Sequence, residues 1–175
     1  MFDTQKFGIY LSKLRKRADM TQSDVAIKLN ITRQAISHYE CGDTFPDISI
    51  LVSIANLFNV SLDELIRSGE PSNGEALILT NVALGKEVNN ENNFNDLINL
   101  APLLKPSLLE KLSEKLINDG INISGIVELA KYLNDKSIIS MLEKINFEEA
   151  DNELIEKLIP VLNNESLENI FAKIL

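Results

Sequence analysis

Four polar side chains, Arg33, Gln34, Ser37 and His38, fall near the start and along one side of a short helical stretch, while Ala35, Ile36 and Tyr39 suit its core side. Their chemistry is hydrogen bonding rather than bond making. A guanidinium can fork onto O6 and N7 of guanine and a carboxamide onto N6 and N7 of adenine, and each good bidentate pair supplies roughly 1–3 kcal/mol of discrimination. Lys13, Lys16, Arg17 and Lys28 lie in the same region and offer cations to phosphate. Backbone amides at the starts of the second and third helices offer the same service.

Other chemistries find little material. The chain holds one Cys, Cys41, and one His, His38. A disulfide framework and a Cys/His zinc site are therefore excluded, because such a site takes about four ligands. His38 has no Cys or second His to partner it, and Ser37 shares its face only loosely, so a nucleophile–base pair is not expected. The acidic run Glu148, Glu149, Asp151 and Glu153 lacks the spacing and Gly of a calcium loop and reads as a solvated helix junction. No Gly-rich phosphate loop occurs. The expectation is a protein that is not an enzyme and needs no cofactor and no metal.

The elements that must position these residues are legible from apolar spacing. Phe7, Tyr10, Leu11, Leu14 and Ala18 line a first helix; Val25, Ala26 and Leu29 a second; Ile36 and Tyr39 a third; Ile50, Leu51, Ile54, Ala55 and Phe58 a fourth; Leu62, Leu65 and Ile66 a fifth. Start signals precede four of them: Thr21 with Asp24, Thr32, Asp47, and Ser61 with Glu64 in capping-box spacing. The second and third helices, each about eight residues long and joined around Asn30 and Ile31, meet the description of a helix-turn-helix. Asn30 tolerates the left-handed conformation needed to leave the helix. Ala26 lies where the two helices cross closely, and Ile31 and Ile36 fill the space beneath.

The segment resembles the lambda-repressor/Cro-type helix-turn-helix family, also called the XRE family, over about residues 5–67. The resemblance rests on Leu14-Arg15, Thr21-Gln22, Val25-Ala26, Leu29, Ile31-Thr32, Ile36-Ser37, Glu40, Gly42, Pro46, Leu57 and the closing Val60-Ser61-Leu62-Asp63-Glu64-Leu65. It implies a structural ion pair between Arg15 and Glu40 behind the recognition helix. It also implies that Gln22 touches backbone phosphate or a base, and that Thr32, Arg33, Gln34, Ser37 and His38 form the face that meets bases. Cys41 departs from the Asn or other polar residue common at its position, which weakens one phosphate contact.

Composition places these helices in a larger frame. The chain has 175 residues, 45% of them hydrophobic and 25% charged, with a net charge of −9. Such an acidic balance argues against coating nucleic acid by bulk charge. Residues 1–70, however, carry 8 Lys/Arg against 9 Asp/Glu, so residues 71–175 hold nearly all of the excess. Between the two, Ser68-Gly69-Glu70-Pro71-Ser72-Asn73-Gly74 reads as a linker, with a Gly able to cap a helix and a Pro unable to continue one. Residues 75–88 are apolar enough for a connecting helix.

Three segments, 100–116, 129–145 and 158–174, then align without gaps at a period of 29. Leu100, Leu129 and Leu158 correspond, as do Leu109, Ile138 and Leu167, and each unit has a polar turn, Lys105-Pro106, Asn134-Asp135 or Asn163-Asn164. Stacked helical hairpins carry this signature. Pro102 and Pro160 predict a kink or early stop in the first helix of their units.

The expected architecture is all-α: a five-helix lambda-repressor-like domain at 1–68, a linker and connecting helix at 69–93, and three helical-hairpin repeats at 94–175. No export signal or membrane-spanning stretch is visible, which predicts a cytoplasmic protein. Two functions follow. One is a sequence-specific transcriptional regulator that binds a palindromic double-stranded DNA operator as a homodimer, its repeats dimerising or receiving a peptide or protein effector. The other is a protein- or peptide-interaction adaptor whose helix-turn-helix is only a docking module.

Overall fold

A computed structural model describes residues 1–88, 94–116 and 123–142. Every element among them is helical. The chain divides into two units, Met1–Asn92 and Asn93–Leu175.

In the first unit six helices follow one another: α1 (Thr4–Arg17), α2 (Gln22–Leu29), α3 (Arg33–Cys41), α4 (Ile48–Phe58), α5 (Leu62–Arg67) and α6 (Asn73–Ala83). Side-chain oxygens open them. Asp3 accepts from the amides of Gln5 and Lys6, Thr32 from Ala35, and Asp47 from Ser49 and Ile50. Thr21 and Asp24 form a reciprocal capping box. At α5 only half of the expected box forms: Ser61 accepts from the Glu64 amide, but the Glu64 carboxylate takes the Tyr10 hydroxyl instead and ties α5 to α1. Ser72 and Glu75 supply a second complete box at the start of α6.

Left-handed residues close the helices where the backbone must turn: Asn30 (φ 54°) after α2, Gly42 (φ 76°) after α3 and Asn59 (φ 52°) after α4. Ala18, expected on the apolar face of the first helix, is instead the exposed cap that ends α1. Gly69, expected as a helix cap, serves another purpose. The left-handed turn falls on Glu70 (φ 49°), and the bare Cα of Gly69 leaves room for the Phe2 ring, which a Cβ there would strike.

The core is assembled from the faces that spacing marks. Phe7, Leu11, Val25, Ile36, Leu51, Ile54, Leu65 and Ile66 are completely buried. Helix α3 packs on both α1 and α2. Its crossing with α1 is close because Gly8 has no side chain: a Cβ there would stand 2.5 Å from the Tyr39 carbonyl oxygen and 2.6 Å from that of Glu40. Phe2, Phe7 and Phe45 pack as an aromatic trio, with Phe45 centroids 4.8 Å from Phe2 and 5.0 Å from Phe7. Helix α6 packs on α4 and α5 and buries Ala76, Ile78 and Leu79, so the stretch after Pro71 is part of this unit.

The described part of the second unit comprises α7 (Phe94–Leu100), a 3₁₀ turn (Ala101–Leu103), α8 (Pro106–Leu116), α9 (Ile123–Leu129) and α10 (Asp135–Leu142). Pro102 sits in the 3₁₀ turn, where α7 stops. Helix α9 begins 29 positions after α7, and α10 begins 29 positions after α8. Burial recurs at the same interval, at Leu97 and Ile126, Leu100 and Leu129, Ala101 and Ala130, Leu109 and Ile138, and Leu112 and Met141. The Asn134 side chain caps α10 at the Ser137 amide, 3.0 Å away, and the Ser137 hydroxyl reaches back to Glu110 of α8. Residues 158–174, the third aligned segment, and the acidic run at 148–153 lie outside the described residues. Among the described residues no helix is long and apolar enough to cross a membrane.

Candidate nucleic-acid interface

The short α2 and α3 are held by a small apolar cluster of Val25, Ala26 and Ile36, with Met20, Leu29, Ile31, Tyr39, Leu57 and Phe58 packed around it. At the turn Asn30 adopts the left-handed conformation, and the Ile31 amide donates to the Ala26 carbonyl at 3.0 Å. This junction sets the angle at which α3 is presented.

Helix geometry then sorts the side chains of α3. Residues advance by about 100° each, so with Ile36 pointing into the core the opposite side carries Gln34, His38 and Cys41, with Ser37 at its edge, whereas Arg33 lies about 60° from Ile36 in the first turn. Thr32, Arg33, Gln34 and Cys41 are exposed, while Ser37 and His38 are half-buried. Thr32 is the helix cap, its Oγ1 accepting from the Ala35 amide at 3.1 Å, which leaves its hydroxyl proton to a partner outside. The His38 Nδ1 lies 3.0 Å from Oδ2 of Asp43, because the Gly42 cap folds the chain back and brings the Asp43 amide to the His38 carbonyl at 3.0 Å.

Behind α3 lies a charged network. The Glu40 carboxylate takes Nε and Nη2 of Arg15, the latter at 2.9 Å, and Nε2 of Gln22 at 3.0 Å. Arg15 Nη1 also donates to the Met20 carbonyl at 2.8 Å, which pins the α1–α2 turn. Side-chain exposure of Arg15 and Glu40 is 13% and 7%, so the pair is largely shielded from water. Burial alone would raise the Glu40 pKa, but hydrogen bonds from Arg15 and Gln22 with the Arg15 charge outweigh it and hold the carboxyl below its usual range. The Gln22 amide group is thus committed on one N–H, and what it can still offer a phosphate is its remaining N–H.

The cations fall into two groups. Lys13, Lys16 and Arg17 are exposed on the C-terminal half of α1, where positive charge also suits the helix dipole. Lys28, on α2, is exposed and acts on Asp24 through space. None of these four, nor Arg33, enters an ion pair among the described residues.

The two helix starts also differ. Asp24 lies in the first turn of α2, ionised below its ordinary range by hydrogen bonds from the Thr21 hydroxyl and amide. The first turn of α3 holds no acidic residue and begins with Arg33. Of the two, the start of α3 is the better one for an anion.

Reasoning from spacing alone left out Asp43. Its signal was a carboxylate directly after Gly42, five positions beyond the single histidine. The Gln22–Glu40 bond was also missed, because a contact between side chains 18 positions apart leaves no local pattern.

Residues 11–65 match the Helix-turn-helix family, and this part of the chain is a helix-turn-helix domain of the XRE type. Three relatives carry the same likeness. The HTH-type transcriptional regulator YqaE of Bacillus subtilis is 44% identical over 61 residues, 35% of this chain and 53% of the relative. The HTH-type transcriptional regulator ImmR of the same organism is 35% identical over 81 residues, 46% of this chain and 64% of the relative. The HTH-type transcriptional activator BcrR of Enterococcus faecalis is 38% identical over 65 residues, 37% of this chain and 31% of the relative. The chain thus spans less than two thirds of the length of each of these relatives, and its C-terminal half is unmatched. No solved structure gives a significant match.

Proposed function

We propose that the chain is a cytoplasmic, sequence-specific DNA-binding transcriptional regulator that reads the major groove through α3. The observation that carries this reading is the outward side of α3. Arg33 and Gln34 stand exposed at its first turn, Ser37 and His38 follow, and the helix is seated by the Arg15–Glu40 pair behind it. Thr32, Arg33, Gln34, Ser37 and His38 are the base-reading set; Gln22, Lys13, Lys16, Arg17 and Lys28 hold the phosphates. Base contacts specify and phosphate contacts orient. The names of the relatives support the same activity.

One module of this size offers modest affinity and few base pairs, so the operator is a palindrome bound by a homodimer, with half-sites about 34–36 Å apart. The second unit supplies dimerisation or receives a peptide effector. What supports that role is its 29-residue recurrence of helix starts and buried positions, which is how stacked hairpins share a core and expose a groove. The same observation favours a second reading, an adaptor in which the repeats do the work and the helix-turn-helix docks to a protein.

Binding of full-length protein to its selected duplex, with Arg33→Ala and Gln34→Ala beside the parent, separates the two. A regulator loses roughly 5- to 150-fold in affinity for each substitution, from about 1–3 kcal/mol per base pair read. Unchanged affinity and preference would favour the adaptor.

A further inference from the structure

The proposed base-reading set contains one titratable side chain, and that side chain already has a partner. His38 is the single histidine of the chain, and its Nδ1 is 3.0 Å from a carboxylate oxygen of Asp43. An ionised carboxylate only accepts hydrogen bonds, so Nδ1 must carry the proton. The other nitrogen, Nε2, has no hydrogen-bond partner among the described residues, and the side chain is 44% exposed. In a neutral ring Nε2 is an acceptor and suits the N4 amino group of cytosine or N6 of adenine; in the imidazolium it is a donor and suits N7 or O6 of guanine.

Resting on the reading of α3 as the recognition helix, we infer that Asp43 is a specificity-determining positioning residue, holding the His38 imidazole by Nδ1 so that protonated Nε2 reads guanine in the major groove.

Asp43 brings negative charge to one side of the ring, and the groove brings acceptors and phosphates to the other. The helices packed against α3 do not supply a competing pair. On α1, Lys6 is engaged by Glu70 and Arg15 by Glu40; on α2, Asp24 is engaged by Thr21. The remaining charges there, Lys13, Lys16, Arg17 and Lys28, are exposed cations, and on α3 itself Glu40 is taken by Arg15 and Gln22. An imidazole donates from both nitrogens when each carries a proton and from only one otherwise, so the base read through Nε2 follows the protonation of the ring. The proton enters from solvent on binding. Preference for guanine is therefore present at the acid end and fades as pH rises.

The test uses full-length protein and the duplex selected from a random pool. The four base pairs are placed in turn at the position whose preference changes in His38→Ala, and competition binding is run at pH 6 and pH 8. Ratios between duplexes cancel any general change in affinity between the two pH values.

The expected result is a guanine preference of roughly fivefold at pH 6 that is lost at pH 8, a size suited to one charge-assisted hydrogen bond. Asp43→Ala loses the preference at both pH values. Asp43→Asn, which keeps an acceptor for Nδ1–H, retains the preference at pH 6. Asp43 is exposed on a turn, and thermal melting of each variant checks the fold.

A preference that does not vary with pH, or Asp43→Ala behaving as the parent, would overturn the inference while leaving α3 as the reader. If Arg33→Ala, run alongside, leaves every base preference unchanged, the recognition-helix reading fails and the inference falls with it.

Discussion

Two kinds of residue meet at α3, those that face outward and those that hold it in place, and they fail in different ways. Arg15, Glu40 and Gln22 are of the second kind. Removing one partner of a shielded pair strands the other, so Arg15→Ala is expected to cost about 2–4 kcal/mol of stability, read by thermal or urea unfolding. The pair also has a pH signature. The Glu40 pKa is lowered in the folded state, so its contribution is present above the ordinary glutamate value of 4.5 and is lost as pH falls from there through the folded value. Glu40→Gln should accordingly be less stable than the parent at neutral pH and lose less on acidification below about pH 4.5, and parallel curves would contradict the assignment. Lys16 is of the first kind. Lys16→Ala should leave stability and base preference alone and lower the slope of log affinity against log salt by about 0.9, the share of one phosphate.

At the scale of elements, α1 and α3 can approach because Gly8 is bare. Gly8→Ala places a methyl against two backbone carbonyls that cannot rotate away, and a loss of about 1–3 kcal/mol is expected, seen as a lower melting temperature. Generic helix propensity would predict a gain for the same change, so the sign is diagnostic. Much of this architecture was legible beforehand. Caps at Thr21, Thr32, Asp47 and Ser61, the left-handed Asn30 and the buried faces of five helices follow from local chemistry that spacing records. Local chemistry does not record long-range packing. Glu64 was spent on Tyr10 rather than on its own cap, Gly69 on the Phe2 ring rather than on a left-handed cap, and Gly8 on a crossing 31 residues away in sequence at Tyr39. Of the site, the outward side chains of α3 were readable from type and spacing. Asp43 was not, since its role depends on how the chain folds back after Gly42.

For the whole molecule, the partition of charge explains how a chain of net −9 can approach an acidic ligand. The excess lies after residue 70, and the exposed cations Lys13, Lys16, Arg17 and Lys28 lie in the helix-turn-helix half. Where the chain is cut should matter. Helix α6 buries Ala76, Ile78 and Leu79 and packs on α4 and α5, so a fragment ending at residue 70 would expose apolar surface that a fragment ending at 92 keeps covered. The 1–92 fragment is expected to unfold cooperatively at a higher temperature than 1–70, and equal melting temperatures would count against α6 as part of that core.

The most direct measurement is a selection from random duplexes, carried out with the full-length parent and with Arg33→Ala and Gln34→Ala. A regulator that reads DNA through α3 enriches one palindromic site with half-sites a helical turn apart, and each substitution relaxes the preference at its own base pair in both half-sites. No enriched site, or an enriched site that both substitutions leave unchanged, would contradict it.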